Sequence, residues 1–156
     1  MKTLKTTLTV FLLLFTLSSF AQSKEETLEW LKINAKSLSS FTFTYISSGD
    51  NCDFHLKVSD NGEAITNSFQ WSYDNKPSTP STNTYSFSDI LYQEVNTITR
   101  SKDDKYSAYS YEVQIAGGKT LIIKSNENID VNVKRVLKAI MHLAKLSGAK
   151  ENKQTF

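Results

Sequence analysis

Between Phe41 and Lys124, apolar and polar residues alternate at every second position in several short runs, the signature of half-buried β-strands. "FTFTYI" puts Phe41, Phe43 and Tyr45 on one face and Thr42 and Thr44 on the other. "SSGDN" then turns the chain into "CDFHLKV", where Cys52, Phe54, Leu56 and Val58 oppose Asp53, His55 and Lys57. Asp60-Asn61-Gly62 is a hairpin signal leading to a strand over 65–73, with Ile65, Phe69 and Trp71 on one side. "DNKPSTPSTN" holds both prolines and reads as the longest exposed loop. Tyr85 and Phe87 suggest a short edge strand, 90–99 a less regular one, and 101–105 a turn. Tyr109, Tyr111, Val113 and Ile115 alternate with Ser110, Glu112 and Gln114, and Gly117-Gly118 folds this strand back onto "KTLIIK".

Outside this region the spacing lengthens to three and four. Ser23-Lys24-Glu25-Glu26 is a capping box, and Leu28, Leu31, Ala35 and Leu38 form the apolar stripe of the helix it opens, with Trp30 beside them. The closing segment places Val133, Val136, Leu137, Ile140, Leu143 and Ala144 on one stripe, with Met141 at its border. Lys134, Arg135, Lys138, His142 and Lys145 take the other side, Asp130 is suited to the N-cap, and Gly148 to the residue past the C-terminus.

These elements predict an α+β domain: an N-terminal helix, six or seven antiparallel strands in a curved sheet or small barrel, and a C-terminal amphipathic helix packed on it. The element order over 41–147 resembles the pleckstrin-homology-like barrel, which implies that the last helix plugs one open end. A cystatin-like or nuclear-transport-factor-like sheet wrapped on the first helix is the rival arrangement. The strings "FSDI" and "RVLKAIMHLAKLSG" are similar to segments of small exported bacterial proteins. That likeness implies export and compactness, and no activity.

The N-terminus changes how the charge is read. Lys2 and Lys5, the apolar run from Val10 to Leu17 and the small residues Ser19 and Ala21 have the form of a secretory signal cleaved after Ala21. The run is shorter than the roughly 20 residues that cross a bilayer, so no transmembrane anchor is expected. The division expected is a signal over 1–21, one domain over 22–150 and a disordered tail over 151–156, with the product periplasmic or secreted. Without the two signal lysines the chain has 16 basic and 16 acidic residues. Neutrality removes the compositional case for nucleic-acid binding. The charge is nevertheless uneven: residues 22–130 carry a net −5 and residues 131–156 a net +5. Docking of the basic tail on the acidic body is the plain expectation.

Few residues form a recognisable reactive constellation. Cys52 is the one cysteine, so no intramolecular disulfide is possible, and it shares a strand with His55 but points to the opposite face. Asp53 and His55 do share a face, and Asp89 or Asp60 is a candidate third member of a polar site. Phosphate-binding glycine loops, H-E-x-x-H and G-x-S-x-G are absent. Trp71, Tyr73, Tyr85, Phe87 and Tyr92 cluster in sequence around the proline-containing loop, and Trp71, Tyr73, Tyr85 and Tyr92 are the candidate ligand contacts. The expectation is a small exported, non-catalytic binding or interaction protein for a protein, peptide or glycan, with no cofactor or metal. A periplasmic or secreted hydrolase-like enzyme using Asp53, His55 and Asp89 is the alternative. Insertion of the closing helix into a membrane surface is disfavoured, because its apolar stripe has no large aromatic.

Overall fold

The computed structural model describes residues 23–38, 41–44, 50–74, 76–103, 108–125 and 130–152, with backbone only at 36–38, 41–44, 103 and 130. The expected signal over 1–21 and its cleavage position lie outside these residues, as do 153–156. Helix α1 (Lys24–Leu38) opens with the reciprocal capping box: the Ser23 backbone N–H donates to Glu26 Oε2 at 3.0 Å, and the Glu26 N–H donates to Ser23 Oγ at 3.1 Å. Its inward stripe is Leu31 and Ala35, with Leu28 and Trp30 partly buried beside it.

Among the described residues eight strands follow, in two antiparallel sheets. β1 (Phe41–Thr44), β2 (Asn51–Val58), β3 (Ala64–Tyr73), β4 (Lys76–Pro77) and β5 (Ser81–Ser86) form the first; β3 pairs with β2 on one side and with β4 and β5 on the other. β6 (Thr99–Asp103), β7 (Ala108–Ile115) and β8 (Lys119–Ser125) form the second. Helix α2 (Asp130–Leu146) closes the core.

The single curved sheet or barrel is therefore corrected to two sheets that do not close on each other. The first sheet meets β8 through side chains of β5 and β3 instead of a backbone ladder: Tyr85 Oη of β5 donates to the Thr120 carbonyl at 3.0 Å and Asn67 Nδ2 of β3 to the Ile122 carbonyl at 2.9 Å. The main chain adds Leu91 N–H to the Gln114 carbonyl at 2.9 Å and Ala116 N–H to the Asp89 carbonyl at 2.8 Å. The proline-containing "loop" contains β4 and the start of β5. Pro77 pairs with Ser72 on an outer strand, where a missing N–H is tolerated, and Asp74 makes the turn with φ of 49°. Phe87 leaves β5 and is buried in a 3-10 turn, Phe87–Asp89. The strand expected over 90–99 is instead an isolated bridge at Ile90, another at Tyr92 and a 3-10 turn at Val95–Thr97. β6 occupies most of the expected 101–105 turn; its described side chains are exposed on both faces, so it shows no alternation.

The core lies between the helices and the apolar faces of both sheets, and includes Leu31, Phe54, Ile65, Leu121, Ile123 and the whole predicted stripe of α2. Each large side chain buried from α2 contributes roughly 1.5–3 kcal/mol over its exposed state. The helix stops where expected. Gly148 adopts φ of 79°, its N–H donates to the Lys145 carbonyl at 3.1 Å, and the Ala149 N–H donates to the Ala144 carbonyl at 3.0 Å, together a Schellman motif. Beyond it, Tyr92 N–H donates to the Lys150 carbonyl and Asn152 N–H to the Tyr92 carbonyl, which ties 150–152 to the body.

Candidate functional site

The aromatic residues separate into three settings. On the inward face of β3 burial falls along the strand, from buried Ile65 through half-buried Phe69 and Trp71 to exposed Tyr73, because its ten residues outrun the core beneath them. The last two rings lie nearly parallel, 17° apart with centroids separated by 6.3 Å, and Tyr73 is 52% exposed. The neighbouring chain is held in place: Ser78 N–H donates to the Trp71 carbonyl, Trp71 N–H to Ser78 Oγ and Gln70 Nε2 to the Ser78 carbonyl. The Trp71–Tyr73 pair is thus a partly exposed aromatic ledge on a fixed strand end.

Tyr85 does not join it. Its hydroxyl is committed to Thr120 and its ring packs against the core, a role between sheets that alternation alone did not reveal. Tyr92 sits elsewhere, beneath Lys145, whose Nζ lies 5.3 Å from the ring centroid.

The polar candidates also part. Asp53 and His55 lie on the β2 face opposite Cys52, half-buried and exposed respectively, opposite Gln70 and Ser68 of β3. Asp89 is exposed on the 3-10 turn that packs against α2, and its carbonyl holds Ala116. Asp60 lies in the exposed β2–β3 turn, 3.8 Å from Lys57 Nζ. Among the described residues no three His, Cys, Asp or Glu side chains are placed to hold a metal ion. Cys52 is fully buried, and burial, assisted by the negative charge of Asp53, pushes its thiol from 9.0 up to about 11. A thiol so placed is protonated at neutral pH and out of reach of substrate.

The feature sequence reasoning missed is the surroundings of the basic face of α2. Two grooves flank it. One, of about 360 Å³, lies between the helices and is lined by Thr27, Trp30, Arg135, Lys138, Ala139 and His142. The other, of about 430 Å³, is walled by Tyr92, Glu94, Val95 and Asn96 against Lys138, Met141, His142 and Lys145. Lys138 and His142 line both and form the saddle between them. The charge pattern of α2 was visible along the chain, but its concave setting depends on α1 and on 92–96, far away in sequence.

Arg135 and Lys138 lie on the solvent side of α2, where the amphipathic pattern puts them, while the apolar side of the helix docks on the body. Both are exposed, and among the described residues neither has an ion-pair or hydrogen-bond partner. Among the described residues, no helix is long and apolar enough to cross a membrane. No protein-family model, curated protein or solved structure matches the chain.

Proposed function

We propose that the chain is a small exported binding protein, non-catalytic, whose Trp71–Tyr73 ledge takes a sugar ring of a glycan. The observation that carries this reading is the near-parallel aromatic pair at the end of β3, with Tyr73 half out of the core. An aromatic face offers large contact area at little loss of side-chain freedom, and the C–H face of a pyranose is its natural complement. Asp74, exposed beside Tyr73, supplies an acceptor for a sugar hydroxyl. The N-terminal pattern of Lys2, Lys5, Val10 to Leu17 and Ala21 supports export. The hydrolase-like alternative draws Asp53 and His55 from the outer face of β2 and Asp89 from the 3-10 turn packed against α2.

The chain has two tryptophans, Trp30 and Trp71, so Trp30→Phe leaves Trp71 as the sole indole reporter. Titration of that variant with neutral oligosaccharides is expected to change Trp71 fluorescence saturably for at least one of them. Adding Tyr73→Ala is expected to weaken the response about tenfold, the upper range of one aromatic contact. Binding that ignores Tyr73, or a ledge silent to every neutral glycan, counts against the reading.

A further inference from the structure

A second and independent site follows from the basic face of α2. We propose that the two grooves flanking this helix form one binding site for a small molecule carrying two or more oxyanion groups of the phosphate or sulfate type. Arg135, Lys138, His142 and Lys145 recur at intervals of three, four and three residues, which keeps them on one face. From first to last they span about 15 Å at 1.5 Å per residue. Three permanent cations in that strip face a single carboxylate among the groove-lining residues, Glu94.

Clustered like charges destabilise a helix face unless something offsets them. The fold offers Arg135 and Lys138 no partner among the described residues, although the rest of the mature chain has a surplus of acids. A bound polyanion supplies the missing charge.

Shape decides between a small molecule and a membrane. The grooves, about 360 and 430 Å³, fall within the range of small-ligand sites, and Lys138 lines both, so one cation can serve two anionic groups. A lipid surface needs a convex face and free apolar side chains. Here the stripe from Val133 to Ala144 is wholly buried in the core, the exposed apolar side chains of the two helices, Ile33, Val131 and Leu146, line neither groove, and Trp30 and Tyr92 stand as walls on either side of the cations. Arginine adds the planar two-pronged donor set that fits such oxyanions.

The test is a backbone-amide NMR titration of isotope-labelled chain lacking residues 1–21, which lie outside the described fold, with sodium pyrophosphate at low salt. Saturable shifts confined to Trp30, residues 92–96 and residues 135–145 are expected. Lys138→Gln is expected to weaken binding at least tenfold, the loss of one charge-assisted contact, while Lys57→Gln, on the outer face of β2, leaves it unchanged. A parallel arm uses vesicles of anionic phospholipid. Shifts that grow without saturation at Lys57 and Lys119 alike overturn the proposal. So do equal affinities of the two variants, no shifts with pyrophosphate, or binding to vesicles without binding to soluble pyrophosphate.

Discussion

Asn67→Asp is the most informative perturbation of the fold, because it keeps size and shape and changes only hydrogen-bonding capacity and charge. Asn67 is 2% exposed, and its Nδ2 donates to the Ile122 carbonyl at 2.9 Å, while Oδ1 has no partner among the described residues. The donor must face Ile122, since turning the amide would set two acceptors against each other. Aspartate at this position has no donor when ionised. It then strands the Ile122 carbonyl, worth about 1–3 kcal/mol, and buries an unpaired charge, for a total of about 3–5 kcal/mol. That is a large part of the roughly 5–15 kcal/mol that holds a domain folded.

The sign with pH is fixed by the same geometry. Burial raises the folded-state pKa of the new carboxyl, and its protonated form again donates to Ile122. The deficit is therefore small near pH 4 and grows as pH rises toward 7, where the unfolded chain holds an ionised aspartate in water. Urea unfolding of parent and variant at pH 4 and pH 7 measures this difference. A variant as stable as the parent at pH 7, or a deficit that does not change with pH, refutes the buried bridge between the two sheets.

Two further outcomes follow from local geometry. Gly62 sits at φ of 74° and a Cβ there runs into the Leu28 side chain, whereas Gly117 at φ of 79° faces open space. Gly62→Ala is therefore expected to cost about 2–4 kcal/mol and Gly117→Ala about 1 kcal/mol, and equal thermal shifts would show that Leu28 does not press on Gly62. Cys52 is expected to resist thiol reagents at pH 8 until the chain unfolds. Because its folded thiol keeps its proton up to about 11 against 9.0 otherwise, the stability it contributes is intact below pH 9 and lost as pH rises toward 11. The slope reaches at most about 1.4 kcal/mol per pH unit, and Cys52→Ala should flatten that part of the stability curve. An unchanged slope places the thiol in water.

What was legible along the chain was local. The Ser23–Glu26 box, the Gly62 and Gly117-Gly118 turns, the inward residues of β2, β7 and β8 and the entire stripe of α2 follow from spacing and cap chemistry. The strands that bury few side chains were the least legible: "KP" read as loop and most of "TRSKD" as turn, and of "STNTYS" only the part around Tyr85 suggested an edge strand. The division into two sheets depends on Asn67 and Tyr85 each finding a carbonyl of β8, and no periodicity signals that pairing. Among the candidate ligand residues, adjacency along one strand kept Trp71 and Tyr73 together, while Tyr85 and Tyr92 went to separate structural duties. The α2 cations and their solvent-facing side were visible, but the grooves that flank them are built with α1 and residues 92–96, which no spacing along the helix reveals.

The central claim is that α2 has two separable faces, an apolar one that closes the core and a basic one left open for an anion. Thermal unfolding of Arg135→Gln/Lys138→Gln, with and without pyrophosphate, tests it most directly. Without the anion the double variant should melt at the parent's temperature or slightly above it, because relieved repulsion offsets any lost packing. With pyrophosphate the parent should rise in melting temperature as binding to the folded state requires, and the variant should not. A fall of more than about 5 °C without the anion, on the order of 1–2 kcal/mol for a domain of this size, would make these cations structural and contradict the account. A pyrophosphate-dependent rise that survives both substitutions would contradict it as well.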